Sequence, residues 1–307
     1  MTIGIPRALL YYKYQYLWEV FFNELDCRIV LSEPSNNQIL ADGIHFSIDE
    51  SCLPSKIYLG HVYSLIGQCD YILVPRVENL GKNEKVCVKF NGMYDIVKNT
   101  FKDIPLIYYD LDVTKGHSEL KGFLQMGRML GKSYRQAMLA YQKAKKVQML
   151  KDQQKAEKQL KSLNNREGLK ILMVTHPYNI YDNLIGEPII KLVKESGGIP
   201  IYADACDSHQ CIQKSEEISK TLNWIYNKEL VGAVSLYKDQ VDGIILITAF
   251  PCGTDSLVND LLLRKIKGIP MSNIVVDELS GEAGLQTRIE SFIDIIRERK
   301  EPMCAIR

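Results

Sequence analysis

Eight cysteines in 307 residues are the side chains of this sequence best able to do chemistry: Cys27, Cys52, Cys69, Cys87, Cys206, Cys211, Cys252 and Cys304. A thiolate is a strong nucleophile and a soft ligand, so it suits transition metals and iron–sulfur clusters rather than Mg²⁺ or Ca²⁺. Three cysteines fall where a loop runs into a helical segment. Cys52 lies in Asp49-Glu50-Ser51-Cys52-Leu53-Pro54, Cys87 in Lys85-Val86-Cys87-Val88-Lys89-Phe90, and Cys252 in Phe250-Pro251-Cys252-Gly253-Thr254-Asp255-Ser256. A helix amino terminus favours the thiolate. Gly253 would let backbone come close to a bulky inorganic group. The three are dispersed along the chain, so spacing leaves both metal ligation and buried structural thiols open.

The remaining candidates carry less. Cys206-Asp207-Ser208-His209-Gln210-Cys211 has the look of half a Zn site, but the second pair of ligands such a site needs is not evident. Cys27 and Cys69 flank strand-like runs and read as core residues, and Cys304 near the end reads as incidental. His61 falls in a helical segment and reads as a packing residue. His176 ends a strand at the edge where Cys252 should lie, and could face a substrate. Gly127–Ser133 resembles a phosphate-binding loop one residue short, with no strand before it, and reads as a turn within helical sequence. Gly281–Glu290 is rich in polar groups at a helix start, where Glu282 would suit the helix dipole and Arg288 or Glu290 could anchor a loop.

These residues must be positioned by alternating strands and helices. Strands are predicted at Ile3–Ile5, Cys27–Leu31, Asp70–Pro75 and Pro105–Tyr109, with helices at Leu9–Leu25, Pro54–Ile66 and Gly92–Phe101. Ser133–Leu163 has no Gly or Pro and is dominated by Ala, Gln, Lys and Leu, which predicts a long, solvated connecting helix. The alternation then restarts, with strands at Leu169–Thr175, Ile199–Tyr202, Asp242–Thr248 and Met271–Val276. Helices are predicted at Pro188–Ser196, across most of Ser215–Lys238, at Ser256–Ile266 and at Ala283–Arg297. Such alternation implies βαβ units and parallel sheets. The expected organisation is an α/β domain over 1–115, a helical connector over 116–167 and a second α/β domain over 168–307.

Composition narrows the function. Lys plus Arg is 38 and Asp plus Glu is 37, a formal charge of +1, which argues against a nucleic-acid or membrane-surface binder. A hydrophobic content of 46% fits a folded globular chain. No apolar run approaches the ~20 residues that span a bilayer, and the amino terminus lacks a signal-peptide core. The expectation is a cytoplasmic protein with reduced thiols.

At these motifs the sequence resembles the acyl-CoA dehydratase activase-related proteins. Asp49–Lys56 followed by Gly60-His61 is similar to a first signature of that family. Val74-Pro75-Arg76 with Cys87-Val88-Lys89-Phe90 is similar to a second, Ala249–Leu257 to a third, and Asp277–Glu290 to a fourth. The family is akin to the cluster-bearing subunits of 2-hydroxyacyl-CoA dehydratases, benzoyl-CoA reductases and double-cubane cluster proteins. The resemblance implies two Rossmann-like (flavodoxin-like) domains with an iron–sulfur cluster, of 4Fe–4S or double-cubane type, held in the cleft between them. It implies Cys52, Cys87 and Cys252 as ligands, with Gly253 beside the cluster. Glu50, Lys56, His61, Arg76 and His176 are further candidates around it. Also implied are a separate ATP-dependent activator protein as electron donor, a homodimer, and low-potential electron transfer or reductive activation of a small molecule. The alternatives are an acyl-CoA dehydratase or reductase component, and a non-catalytic cluster carrier. Two positions depart from the family pattern: Val88 where Pro is expected after Cys87, and Thr254 where Pro is expected after Gly253. Both change loop shape without removing a thiol.

Overall fold

The computed structural model describes residues 1–165, 168–279 and 281–300. Cys304 lies outside them, as does the side chain of Glu282. The fold is mixed α/β with parallel sheets and divides into two units. One is Met1–Gln153 with Asn223–Tyr226, the other Gln154–Leu222 with Asn227–Arg307.

The first unit begins with β1 (Thr2–Ile5), α1 (Tyr11–Glu24), β2 (Arg28–Leu31), α2 (Asn37–His45), α3 (Leu53–Leu65) and β3 (Tyr71–Leu73). It continues with β4 (Arg76–Asn79), α4 (Val88–Thr100), β5 (Leu106–Ile107), β6 (Asp110–Asp112) and α5 (Glu119–Met129). Its parallel sheet has the order β2-β1-β3-β5, and β4 pairs with β6 in a separate two-stranded ribbon. The first strand is central and the chain winds outward both ways, as in doubly wound sheets. Ile3 and Ile5 are fully buried in β1. A Cβ on Gly4 between them would fall 2.5 Å from Cys69 Sγ, so Cys69 packs against the strand. Phe21 and Phe22 of α1 are also fully buried, and Phe21 meets Phe123 of α5 edge-on at 4.8 Å.

Helix α6 (Tyr134–Asn164) is close to the predicted span. In the first unit its buried face is built from small residues, Ala137, Ala140 and Ala144. Gln148 fixes it to α1 by accepting from the Leu17 N–H at 3.1 Å and donating to Lys13 O at 3.2 Å. Lys143 and Lys145 pair with Glu24 and Glu119, each at 2.6 Å, so part of its basic character is neutralised locally.

The second unit holds β7 (Leu169–Val174), α7 (Pro177–Ile180), α8 (Gly186–Glu195), β8 (Gly198–Tyr202) and α9 (Ser208–Ser215). There follow α10 (Ile225–Tyr237), β9 (Gly243–Ala249), α11 (Gly253–Lys265), β10 (Met271–Val276) and α12 (Glu282–Lys300). Its sheet is parallel in the order β10-β9-β7-β8, again with the first strand internal. All seven residues of β9 are buried, the continuous apolar run expected of a strand covered on both faces.

Two readings need correction. Of the helix predicted across Ser215–Lys238 only α10 (Ile225–Tyr237) forms; α9 ends at Ser215 and residues 216–224 are not helical. The Lys85 N–H donates to Asn223 O at 3.0 Å and the Ile225 N–H to Lys85 O at 2.9 Å. This bridge draws the segment out of helical geometry. Helix α4 starts at Val88 rather than Gly92, which moves Cys87 from a loop to the cap of the helix.

Among the described residues, no helix is long and apolar enough to cross a membrane.

Candidate functional site

Cys52, Cys87 and Cys252 occupy one local position: each is the N-cap residue of a helix, of α3, α4 and α11 respectively. None of the three side chains caps a backbone N–H, none is in a disulfide, and each is half-buried. N-caps are ordinarily Ser, Thr, Asp or Asn, whose oxygen satisfies a free helix N–H. A cysteine there gives up that bond, while the helix dipole favours a thiolate. Cys52 Sγ lies 3.1 Å from Ser55 Oγ, and Cys252 Sγ lies 3.3 Å from Thr254 Oγ1. In both cases a hydroxyl from the first helical turn can donate to the sulfur.

In the first unit the two thiol-bearing loops are tied together. Lys89, two residues after Cys87, donates from Nζ to Ser51 Oγ, one residue before Cys52, at 3.4 Å. Lys56 is buried on α3, and its N–H donates to Cys52 O at 3.1 Å. Glu50 is exposed. Arg76 pairs with Asp95 at 3.1 Å and Asp110 at 3.6 Å, and its guanidinium lies 5.2 Å from the Tyr94 ring centre. His61 is fully buried, with Nδ1 2.8 Å from Ser32 Oγ and Nε2 2.9 Å from Ser35 Oγ. Burial, reinforced by the charge of Arg7, lowers its pKa to about 3, so the imidazole is neutral. It pins α3 to the segment after β2, the packing role its helical setting predicted. At the carboxyl ends of β1 and β3 lies an apolar recess of ≈ 300 Å³ that includes open solvent, with Leu9, Leu73, Phe90 and Met93 in its wall. No charged residue lines it, so it offers nothing to hold the phosphates of a coenzyme A.

In the second unit His176 caps α7 at the end of β7, and Cys252 follows β9, the strand beside β7. The chain winds away in opposite directions from these two strands. Their carboxyl ends therefore form the switch point where doubly wound sheets bind ligands. His176 Nε2 lies 2.9 Å from Asp255 Oδ1, which also accepts from Asn227 Nδ2 at 2.9 Å. His176 and Asp255 are each 4% exposed. Burial works to raise the Asp255 pKa. The charge and hydrogen bond of His176, with hydrogen bonds from Asn227 and Cys252, outweigh it and hold the carboxyl below the usual range. Gly253 faces open space: a Cβ placed there meets nothing within 4 Å. The Phe250–Pro251 peptide is cis.

Sequence reasoning quoted Asp255 only as part of a motif and missed Asn227. The available signal was a polar residue three positions after the capping cysteine, a spacing shared by Ser55 and Asp255. Nothing near in sequence points to Asn227, which arrives from α10.

Cys206 and Cys211 are joined in a disulfide, which corrects the expectation of reduced thiols; it agrees with the absence of a second ligand pair for a Zn site there. Asp207 caps α9 by accepting from the Gln210 N–H at 2.9 Å, and the turn this sets brings the two sulfurs together. Within the Gly127–Ser133 segment, Gly127–Met129 close α5 and residues 130–133 make the turn to α6, with Gly131 at φ 70°. Arg288 Nη2 donates to Asn273 O at 3.2 Å and so anchors α12 to β10. Among the described residues, no group of three or more His, Cys, Asp or Glu side chains is arranged to hold a metal ion. The three N-cap thiols suit an iron–sulfur cluster in chemistry: they are soft ligands and none is in a disulfide.

The family model described as CoA enzyme activase uncharacterised domain (DUF2229) matches residues 2–206. No curated protein matches the chain. Among solved structures, the SBP FpvC from Pseudomonas aeruginosa in complex with Mn²⁺ is 12% identical. That match covers 97% of this chain and 99% of the other, at a TM-score of 0.31. ZnuA is 10% identical over 96% of this chain and 98% of the other, at a TM-score of 0.30. Scores this low carry no argument about this chain.

Proposed function

The chain belongs to the CoA enzyme activase uncharacterised domain family, and from that premise we propose that it is an iron–sulfur protein with Cys52, Cys87 and Cys252 as its thiolate ligands. One observation carries the reading: these three thiols, and no other cysteines among the described residues, are N-caps of helices. Such a position withholds a normal cap and presents a sulfur under a favourable dipole. The cluster, of 4Fe–4S or double-cubane type, would supply low-potential one-electron chemistry. The chain's own part is to hold the sulfurs and tune them. Ser55 and Thr254 are placed to donate hydroxyl hydrogens to two of them, and such bonds shift cluster potentials.

The proposed role is electron transfer or reductive activation of a small molecule in the cytoplasm. A separate ATP-dependent activator would deliver the electron, and the chain would work as a homodimer. Three thiolates leave one iron of a cube without a protein sulfur, which suits a substrate or a bridging group.

Anaerobic reconstitution tests this directly. Iron and sulfide should be retained near cluster stoichiometry, with a paramagnetic signal on reduction. Cys52→Ala, Cys87→Ala and Cys252→Ala should each lose it, while Cys211→Ala should keep it. Colourless, iron-free protein after reconstitution would overturn the reading.

A further inference from the structure

The Cys206–Cys211 disulfide joins residues only five apart in a chain whose Cys27, Cys52, Cys69, Cys87 and Cys252 are free. Closing so short a loop restrains the unfolded chain least, and a fold of this size needs no covalent staple. The turn is held without the bond. The Gln210 N–H donates to Asp207 Oδ1 and the Cys211 N–H to Asp207 O, each at 2.9 Å. Cys206 Sγ lies 3.3 Å from Ala203 O, an acceptor for the thiol hydrogen once the bond opens. The two sulfurs differ in access: Cys211 is fully buried and Cys206 half-buried. The bond lies one helix behind the candidate site. A Cβ on Gly232 would fall 1.7 Å from Cys211 O, so α9 meets α10 backbone to backbone. Ser208 Oγ also donates to Glu229 of α10 at 2.6 Å, and Asn227 on the same helix holds Asp255.

We propose that Cys206 and Cys211 form a thiol–disulfide exchange site, opened by a small thiol and closed by its disulfide, that locks and unlocks the start of α9. An incoming thiolate R–S⁻ attacks the accessible Cys206 Sγ. The Cys206–Cys211 bond breaks, and Cys211 leaves as a thiolate that takes up a proton. A second thiolate attacks the R–S sulfur of the mixed disulfide, forming R–S–S–R and releasing Cys206 as a thiolate. The protein disulfide and two R–SH thus become two protein thiols and R–S–S–R. Oxidised R–S–S–R runs the sequence backwards, because the Asp207 turn keeps the thiols together. This site needs no iron and stands apart from the cluster reading.

Glutathione is the probe. The native, full-length chain is equilibrated without oxygen in mixtures of reduced and oxidised glutathione, quenched in acid and alkylated, and its peptides are weighed. Cys206 and Cys211 should pass together from disulfide to dithiol as the reduced form increases, and return when oxidised glutathione is added. A bond that stays closed in the native protein under excess reduced glutathione, and opens only in denaturant, would overturn the proposal. With Cys211→Ser, oxidised glutathione should add to Cys206; with Cys206→Ser, the buried Cys211 should remain unmodified. Addition at Cys211 instead would overturn the assignment of the attacked sulfur. Amide hydrogen exchange reads the lock: peptides covering residues 203–215 should exchange several-fold faster in the dithiol than in the disulfide form. Equal exchange in the two forms would show that the bond locks nothing. The reduced parent chain gives this reading even if a serine variant does not fold.

Discussion

Lys89 Nζ reaches across 38 residues of sequence to donate to Ser51 Oγ at 3.4 Å, joining the loop that carries Cys87 to the loop that carries Cys52. The two loops are thereby joined by a contact between residues distant in sequence, rather than through any local motif. The relationship gives Lys89 a structural reason to stand two residues after a candidate ligand.

Lys89→Met should keep most of the stem's packing and remove this bond. The expected loss is about 0.5–1.5 kcal/mol of stability, the usual net value of one partly buried hydrogen bond. Urea unfolding measures it. An unchanged midpoint would mean the loops are not joined in this way.

Gly60→Ala should be far more damaging. A Cβ on Gly60 would fall 1.9 Å from Ile39 O, and one on Gly43 would fall 2.0 Å from Lys56 O. Helices α2 and α3 therefore touch backbone to backbone, and neither helix can move without the other. Overpacking of this kind typically costs 1–3 kcal/mol, roughly. A melting temperature equal to that of the parent protein would refute the close contact.

His61 gives a dependence on pH. Its pKa falls from an ordinary 6.5 to about 3 on folding. Between those values the unfolded chain binds the extra proton and the folded chain does not, so stability rises with pH. The contribution is fully present above 6.5 and is lost as pH falls toward 3, at up to about 1.4 kcal/mol per pH unit. Urea midpoints at about pH 6.5 and about pH 5 should therefore differ more for the parent chain than for His61→Gln. Equal differences would show that the ring is not held neutral by the fold.

The disulfide sets a count. Of the seven cysteines among the described residues, the two in the Cys206–Cys211 bond should resist alkylation in denaturant without reductant, while Cys27, Cys52, Cys69, Cys87 and Cys252 react. After reduction Cys206 and Cys211 should react as well. Labelling of Cys206 and Cys211 without reductant would place them as free thiols.

The sequence by itself determined the parallel α/β character. Short apolar runs rich in β-branched residues and bounded by turn signals, such as Gly243–Ala249, read as strands covered on both faces, and the gaps between them are filled by helical segments. It also placed a helix directly after Cys52, because Pro54 suits a first helical turn, whereas the helices after Cys87 and Cys252 start earlier than predicted, at Val88 and Gly253. What only the tertiary structure decided is which groups meet. The Lys89–Ser51 bond, the Gly43 and Gly60 contact, the Lys85 bridge just before α10, and the arrival of Asn227 at Asp255 each join residues distant in sequence. Periodicity and propensity act over a few residues. The partner of a side chain is set by how strands order in a sheet and where the helices between them come to rest.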